Sequence, residues 1–187
     1  MPTSSTPPKG VVTWEDTESY MGKEFPTFVG VDAIERGWIR RWDEVIESDF
    51  PLHYDQALAK RMGFKDIVAP DTFVFAACVP AYWKPGDHLS QPGDPHLSLP
   101  GPTANLPTPP SAWFAFVTDV EEDFIAPMYP GDRISQTSKM VKLMRKKLRV
   151  GDGAFITTET TYRNQNDVVV GVQHMTFFIF EPAQEGS

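Results

Sequence analysis

From Ser111 to the C-terminus the chain is a succession of long β-prone segments parted by short turns, and this half decides the fold class. Ala112 to Val120 is aromatic and β-branched, and Arg133 to Leu148 and Gly153 to Tyr162 have strand composition. Pro127 to Asp132, which contains Tyr129-Pro130-Gly131-Asp132, reads as a turn, and Asn164-Gln165-Asn166-Asp167 reads as a hairpin turn. The last segment, Val168 to Phe180, puts Val168, Val170, Val172, His174, Thr176, Phe178 and Phe180 on one face. Gly171, Gln173, Met175, Phe177 and Ile179 take the other face. Apolar groups on both sides predict an interior strand, and His174 within it reads as a structural histidine.

The first half is helical by contrast. Asp32, three residues before Glu35, has the spacing of a capping box and predicts a helix over 33–46. Ile34, Trp38, Ile39, Trp42, Val45 and Ile46 recur near the helical period, so both tryptophans are expected in the core. Asp55 caps a short predicted helix, Gln56 to Met62, that Gly63 ends. Pro70-Asp71 starts a second helix over 72–83 that is apolar nearly all round, the mark of a helix buried on most sides. Pro80 interrupts it. A buried helix followed by long antiparallel strands is an α+β pattern, a curved sheet wrapped around a central helix. A dimer that joins two sheets would cover the open edges.

Residues 1–10 read as a disordered leader, 11–182 as one domain and 183–187 as a tail. Residues 84–110, rich in proline and glycine, read as an insertion covering a cleft or a subunit face, with His88 and His96 as solvated loop residues. A net charge of −8 argues against a nucleic-acid partner. The single cysteine, Cys78, lies in the apolar run Phe73–Val79 and excludes an internal disulfide. Met1 to Lys9 lacks the apolar core of a signal peptide, and no apolar run spans a bilayer, so a cytoplasmic location is expected.

Between the helices lies Ser48-Asp49-Phe50-Pro51-Leu52-His53-Tyr54-Asp55. It sets a carboxylate four residues before an imidazole, with a proline that stiffens the backbone between them. Asp and His are the side chains most suited to moving protons at neutral pH, and a rigid loop can aim both at one water.

Four stretches, in this order, resemble the MaoC-like hydratase and dehydratase branch of the hot-dog fold, in particular its FAS1-like, N-terminal MaoC dehydratase group. They are Pro51–Asp55, Gly63-Phe64-Lys65-Asp66-Ile67-Val68-Ala69-Pro70, Pro130-Gly131-Asp132, and Thr158–Gln165, together spanning about residues 12–181. The resemblance implies reversible hydration of a 2-enoyl thioester, on coenzyme A or acyl carrier protein, usually giving the (3R)-hydroxy product. It also implies a homodimer, or a heterodimer with a second hot-dog subunit, and no cofactor or metal. The family dyad follows a pattern like Asp-x-Asn-Pro-x-His. His53 takes the His place, Phe50 the Asn place and Ser48 the Asp place, while Asp49 lies one residue closer than the pattern asks.

On this reading Asp49 and His53 are the expected catalytic pair. Backbone N–H groups at Asp71, Thr72 and Phe73 would polarise the thioester carbonyl through hydrogen bonds and the helix dipole. Asp71 itself is assigned the N-cap role. Lys139, Lys142, Arg145, Lys146, Lys147 and Arg149 concentrate basic charge and are the candidate site for the carrier's phosphates. A solvated hairpin end explains the same residues equally well. Two other functions share the scaffold: a non-catalytic acyl-binding subunit of a heterodimeric hydratase, and an acyl-CoA thioesterase using a carboxylate such as Asp71.

Overall fold

The computed structural model describes residues 12–79, 85–86 and 106–183. The expectations for residues 1–10, for most of the 84–110 segment with His88 and His96, and for residues 184–187 lie outside them. A short helix α1, Trp14–Glu18, is closed by a Thr13–Asp16 capping box. Then follow β1 (Phe28–Val29), α2 (Arg36–Ile46), a 3-10 turn at Pro51–His53 and α3 (Gln56–Arg61). A second 3-10 turn, Asp71–Phe73, runs straight into α4 (Val74–Ala77). The strands β2 (Phe114–Phe124), β3 (Ser135–Leu148), β4 (Gly151–Arg163) and β5 (Val169–Pro182) complete the chain.

Among the described residues the five strands form one antiparallel sheet in the order β1-β3-β4-β5-β2, in which β5 is an interior strand and β2 an edge. One face of the sheet holds the core. Ile134, Tyr162 and Val170 pack against Ile39 of α2 and against Phe73, Val74 and Cys78 of the central helix. Farther along the same sheet, Met140, Ala154, Ile156 and Ile179 pack under Phe25, Leu106 and Ala112. The end of the proline-rich segment is therefore core: Leu106 is buried, and the Thr17 hydroxyl donates to the Pro107 carbonyl at 2.7 Å. Gly30 is what lets α4 lie close to the sheet, because a Cβ there would sit 2.3 Å from the Ala77 carbonyl oxygen.

Several details differ from the sequence pattern. The helix predicted over 33–46 starts at Arg36, and its N-cap, Glu35, makes no side-chain capping bond. Asp32 and Ala33 stay outside because the Ile34 N–H donates to the Asp132 carbonyl at 2.8 Å. The tryptophans part company: Trp42 packs on the core, whereas Trp38 is 51% exposed. Val45, at 81% exposure, also faces outward, and the buried positions of α2 are Ile39 and Asp43. The helix predicted over 72–83 stops at Ala77, where Cys78 and Val79 make only i−3 bonds as the chain nears Pro80, which has no N–H to continue the ladder.

In β5 the alternation holds from Gly171 onward, but a register shift between Tyr162 and Arg163 turns Val170 into the core, away from the face of His174. That outer face is apolar at one end: Phe178 and Phe180 are buried there among Phe114, Phe116 and Phe155. His174 shares this outer face, its Nε2 lying 3.2 Å from Glu159.

Candidate active site

Two loops build the site, and Val68 joins them. The first begins where Glu47, in the left-handed conformation with φ 53° and ψ 40°, ends α2 and lets the Ser48 N–H close on the Asp43 carbonyl at 3.0 Å. Pro51 opens the 3-10 turn that carries His53, and the Asp55 side chain caps α3 by accepting from the Leu58 N–H at 2.9 Å. The turn is thus fixed at both ends. The second loop, Gly63 to Pro70, is pinned by carboxylates. Asp66 accepts from Arg36 at 2.6 and 2.8 Å, from Gln56 at 2.9 Å and from its neighbour's N–H, that of Ile67, at 2.7 Å. Buried Asp132, of the Pro130-Gly131-Asp132 stretch, accepts from the Tyr129 N–H at 2.8 Å and from Gln165 at 3.2 Å. Lys65 lies 3.5 Å from Asp132 and over the Tyr129 ring.

Val68 donates its N–H to the Leu52 carbonyl at 3.0 Å, and its carbonyl oxygen sits 2.7 Å from His53 Nδ1. A carbonyl only accepts, so Nδ1 carries the hydrogen and Nε2 keeps its lone pair. The Phe50 ring meets the imidazole edge-on, 5.1 Å between centres, and limits its rotation. Beside this group is a cavity of about 270 Å³. Its walls are Phe50 and Leu52 from the first loop, Phe64 and Val68 from the second, Asp71, and the chain from Phe124 to Pro127 after β2. The lining is apolar apart from the Asp71 carboxylate.

The structure sets two carboxylates, Asp43 and Asp71, where the His53 charge acts on them. Burial pushes the Asp71 carboxyl above the ordinary carboxylate range, and an imidazolium at His53 pulls it back. Burial does the same to Asp43 on α2, with His53 and the Tyr54 hydroxyl opposing it. That hydroxyl commits its own hydrogen to the Ser48 carbonyl at 2.9 Å. Behind Asp71 stands Glu122 of β2, pushed up by burial and by the Asp71 charge and drawn down by Gln173. Gln173 in turn accepts from the buried Tyr162 hydroxyl at 3.3 Å.

Asp49 is exposed, and no hydrogen bond joins it to His53. Asp71 is not the N-cap: Pro70 holds that place, and no side chain caps the turn. Of the three predicted carbonyl donors, the Phe73 N–H is committed to the Pro70 carbonyl at 2.9 Å. The N–H groups of Asp71 and Thr72 remain open among the described residues, and the Thr72 hydroxyl accepts from Trp42 Nε1 at 3.0 Å.

The basic residues of β3 lie elsewhere. Phe124 beside the cavity pairs across β5 and β4 to Gln136, and Lys142 is six residues farther along β3. That places Lys142 roughly 20 Å along the strands and three strands across. Lys139 is held by Glu159 at 2.7 Å, and Arg145 by Asp152 at 3.1 Å and over the Trp14 ring. The register also turns Lys142 and Lys146 to one face and Arg145 to the other, so the six residues, Lys147 and Arg149 at the strand's end included, are not gathered on one surface.

Asp43 and Glu122 were not singled out from the sequence. Asp43 follows buried Ile39 by four residues, so a carboxylate in the apolar phase of the helix was its signal. Glu122 lies in the part of β2 beyond Val120, where strand prediction stopped.

Residues 19–173 match the family described as FAS1-like, dehydratase domain region. The chain belongs to this family. Over 154 residues it is 29% identical to a protein of Thermomonospora curvata named probable enoyl-CoA hydratase alpha subunit, covering 82% of this chain and 47% of that one. The chain thus spans about half the length of that relative. A chain of the ChsH1-ChsH2 complex from Mycobacterium tuberculosis superposes with a TM-score of 0.67 at 21% identity, covering 92% of each chain. A MaoC-like dehydratase from Rhodospirillum rubrum superposes with a TM-score of 0.55 at 18% identity, covering 85% of this chain and 93% of that one. The sheet curled around a helix is therefore the hot-dog fold of the MaoC-like dehydratases. In this FAS1-like dehydratase domain the loop, the second loop and the start of the central helix form the cavity just described. Among the described residues no cluster of His, Cys, Asp or Glu is arranged to hold a metal ion, and no helix is long and apolar enough to cross a membrane.

Proposed function

We propose that this chain works in the reversible hydration of a 2-enoyl thioester, as one subunit of a two-hot-dog assembly, with His53 as its base. The observation that carries this reading is the Nδ1 bond to the Val68 carbonyl, which leaves Nε2 free to take a proton, while Phe50, Leu52 and Val68 around the imidazole line an apolar cavity with one carboxyl in its wall. His53 removes a proton from water as the hydroxyl adds at C3. Asp71, its carboxyl raised by partial desolvation in the cavity wall, delivers a proton to C2, the role that spacing alone gave to Asp49. The open N–H groups of Asp71 and Thr72 receive the thioester oxygen as it gains charge. The resulting imidazolium and carboxylate exchange protons with solvent and return to the starting state. In the dehydration direction the same groups exchange roles. A thiolester carrier, coenzyme A or carrier protein, is the substrate class.

A second reading is favoured by the position of Asp49, exposed and unbonded to His53. In it the chain binds the acyl group and a second hot-dog subunit supplies turnover. The subunit named in the Thermomonospora relative supports such an assembly.

The test follows loss of the conjugated-thioester absorbance of a series of 2-enoyl-CoAs, with the chain alone and with any hot-dog protein that co-purifies. Wild type should turn over and His53→Ala should lose at least about 100-fold in kcat/KM. Equal rates in both proteins would remove His53 from the chemistry and leave the acyl-binding reading.

A further inference from the structure

The outer face of the sheet, turned away from the core, carries an ordered pattern of its own. Four strands present it in the order β3-β4-β5-β2, and cross-strand pairing sets their outward side chains in rows. One row is Lys142-Thr157-Thr176-Asp119, with its two threonine hydroxyls 3.0 Å apart. On one side of it lies Met144-Phe155-Phe178-Phe116, whose rings touch across the strands. On the other side lies Lys139-Glu159-His174-Glu121, in which Glu159 stands 2.7 Å from Lys139 and 3.2 Å from His174. Both charged rows therefore begin with a lysine on β3 and end with a carboxylate on β2. Three strand spacings, roughly 14 Å, separate those ends within one chain.

Such a face is its own complement. A two-fold axis lying along the strands between β4 and β5 exchanges β3 with β2 and β4 with β5, and keeps every row at its level. Lys142 of one copy then meets Asp119 of the other, Lys139 meets Glu121, and Glu159 meets His174. In the apolar row Met144 meets Phe116 and Phe155 meets Phe178. The strands of the two copies stay aligned, as they do in packed sheets. An axis across the strands would instead lay charged rows on aromatic ones. The apolar row also has area left to bury: Met144 is 44% exposed, Phe116 41% and neighbouring Phe114 47%.

We propose that the outer face of the sheet is an interface with a second copy of this chain, related by a two-fold axis along the strands between β4 and β5. Four strands and about ten residues along each make a face of roughly 600 Å² per copy, so about 1,200 Å² in all, the low end for a specific contact. Phe178 and Phe180 are already buried within the chain, so only part of the aromatic surface is gained on contact. The association is accordingly weak, with a Kd of about 10–100 µM. It is independent of the hydratase reading, because the cavity opens on the core side of the sheet. It is also distinct from the open ladder of β2, and doubles whatever unit that edge builds in dilute solution.

The experiment is sedimentation equilibrium of the full chain from about 2 to 300 µM, a range that brackets that Kd. The wild-type mass should double with rising concentration. Lys142→Asp and Asp119→Lys each set like charges against each other twice across the axis, and each should weaken the doubling at least about tenfold. The two combined restore opposite charges between copies and should return Kd to within about threefold of wild type. Within one chain the two side chains lie too far apart for that recovery to be internal. Circular dichroism identifies a variant that does not fold; the other single variant and Met144→Lys, which puts a charge in the apolar row, then decide by the same loss of doubling. A wild-type mass that does not change with concentration overturns the proposal, as does a folded double variant no tighter than the single ones. Doubling that needs a different, co-purifying chain assigns the face to that chain and overturns it too.

Discussion

Both backbone polar groups of Val68 are engaged by the turn that carries His53, its N–H by the Leu52 carbonyl and its carbonyl by the imidazole Nδ1. One residue of the second loop thereby fixes the tautomer and the direction of a side chain on the first. A base so held needs no reorganisation before it accepts a proton, which is the condition under which positioned groups contribute most to a rate.

The acid in the proposed reaction is expected to be Asp71 and not Asp49. Asp71→Asn should lower kcat/KM for enoyl-CoA hydration by about 100-fold, while Asp49→Asn should stay within about threefold. Burial raises the Asp71 carboxyl, so hydration should weaken as pH rises through its folded value, and that limb should be absent from the residual rate of Asp71→Asn. A carboxyl raised on folding lends stability below its unfolded value and loses it as pH rises through the folded one. Asp71→Asn is therefore expected to melt no lower than wild type at pH 7. Equal losses in both variants would return Asp49 to the chemistry.

Cys78 should be inert in the folded protein. It is fully buried on the central helix, with its thiol pushed up to about 12 by burial, so at pH 8 about one thiol in ten thousand is ionised. A maleimide or disulfide reagent should label it only in denaturant, with no reaction over hours without it. Prompt labelling of the native state would show that the helix opens to solvent.

Much of this architecture was legible because it rests on periodicity and turn chemistry. The β5 alternation, the Asn164–Asp167 turn and the Pro51 and Pro70 boundaries act locally, and local rules predicted them. What escaped depends on contacts between distant segments. Trp38 and Trp42 share a helical phase, but only Trp42 meets Thr72 and Phe73 across the helix pair. Val170 left its predicted face because it is the extra, unpaired residue where the register of β4 and β5 shifts, and a pairing with a distant strand decides where it points. The basic residues of β3 looked like one cluster because sequence adjacency hides the alternation of a strand and the distance from its far end to the cavity. The loop with His53 was visible from its proline, but the carboxylates nearest to it in the fold come from α2 and from the 3-10 turn before α4, which no spacing within the loop encodes.

On the outer face of the sheet, Glu159 accepts from Lys139 at 2.7 Å and faces His174 at 3.2 Å. The Lys139 hydrogen bond holds the Glu159 carboxyl below its ordinary range, against burial and with further help from the Lys139 charge and His174. A carboxyl depressed on folding adds stability above its unfolded value and loses it as pH falls through the folded one. Glu159→Gln should therefore have a lower Tm than wild type at pH 7, and the two curves should converge as pH is lowered below 4.5, the reference value for Glu. The difference should also shrink in molar salt, since both side chains are partly exposed. A Tm gap that persists at low pH would assign the loss to packing.

The edge strand β2 bears on assembly. Among the described residues it pairs only with β5, and it exposes Phe114, Phe116, Val117 and Val120, with Trp113 exposed just before it. A long apolar edge with an open ladder does not persist on a lone soluble chain without blocking charges, and here the nearest ones, Asp119 and Glu121, are interspersed with the apolar groups. Val117 and Val120 lie opposite Phe177 and Met175, on the sheet face that carries the core, with Phe124 of the same strand lining the cavity. Contact along this edge would then bring a second subunit up to the site itself. Val117→Lys combined with Val120→Lys should convert a dimeric species, or a complex with a co-purifying hot-dog chain, to monomer in analytical ultracentrifugation, while the far-ultraviolet circular dichroism stays that of the wild type. Retention of the assembly by the doubly charged edge would place the contact on another surface, with the exposed Trp38 and Val45 side of α2 next to be tested.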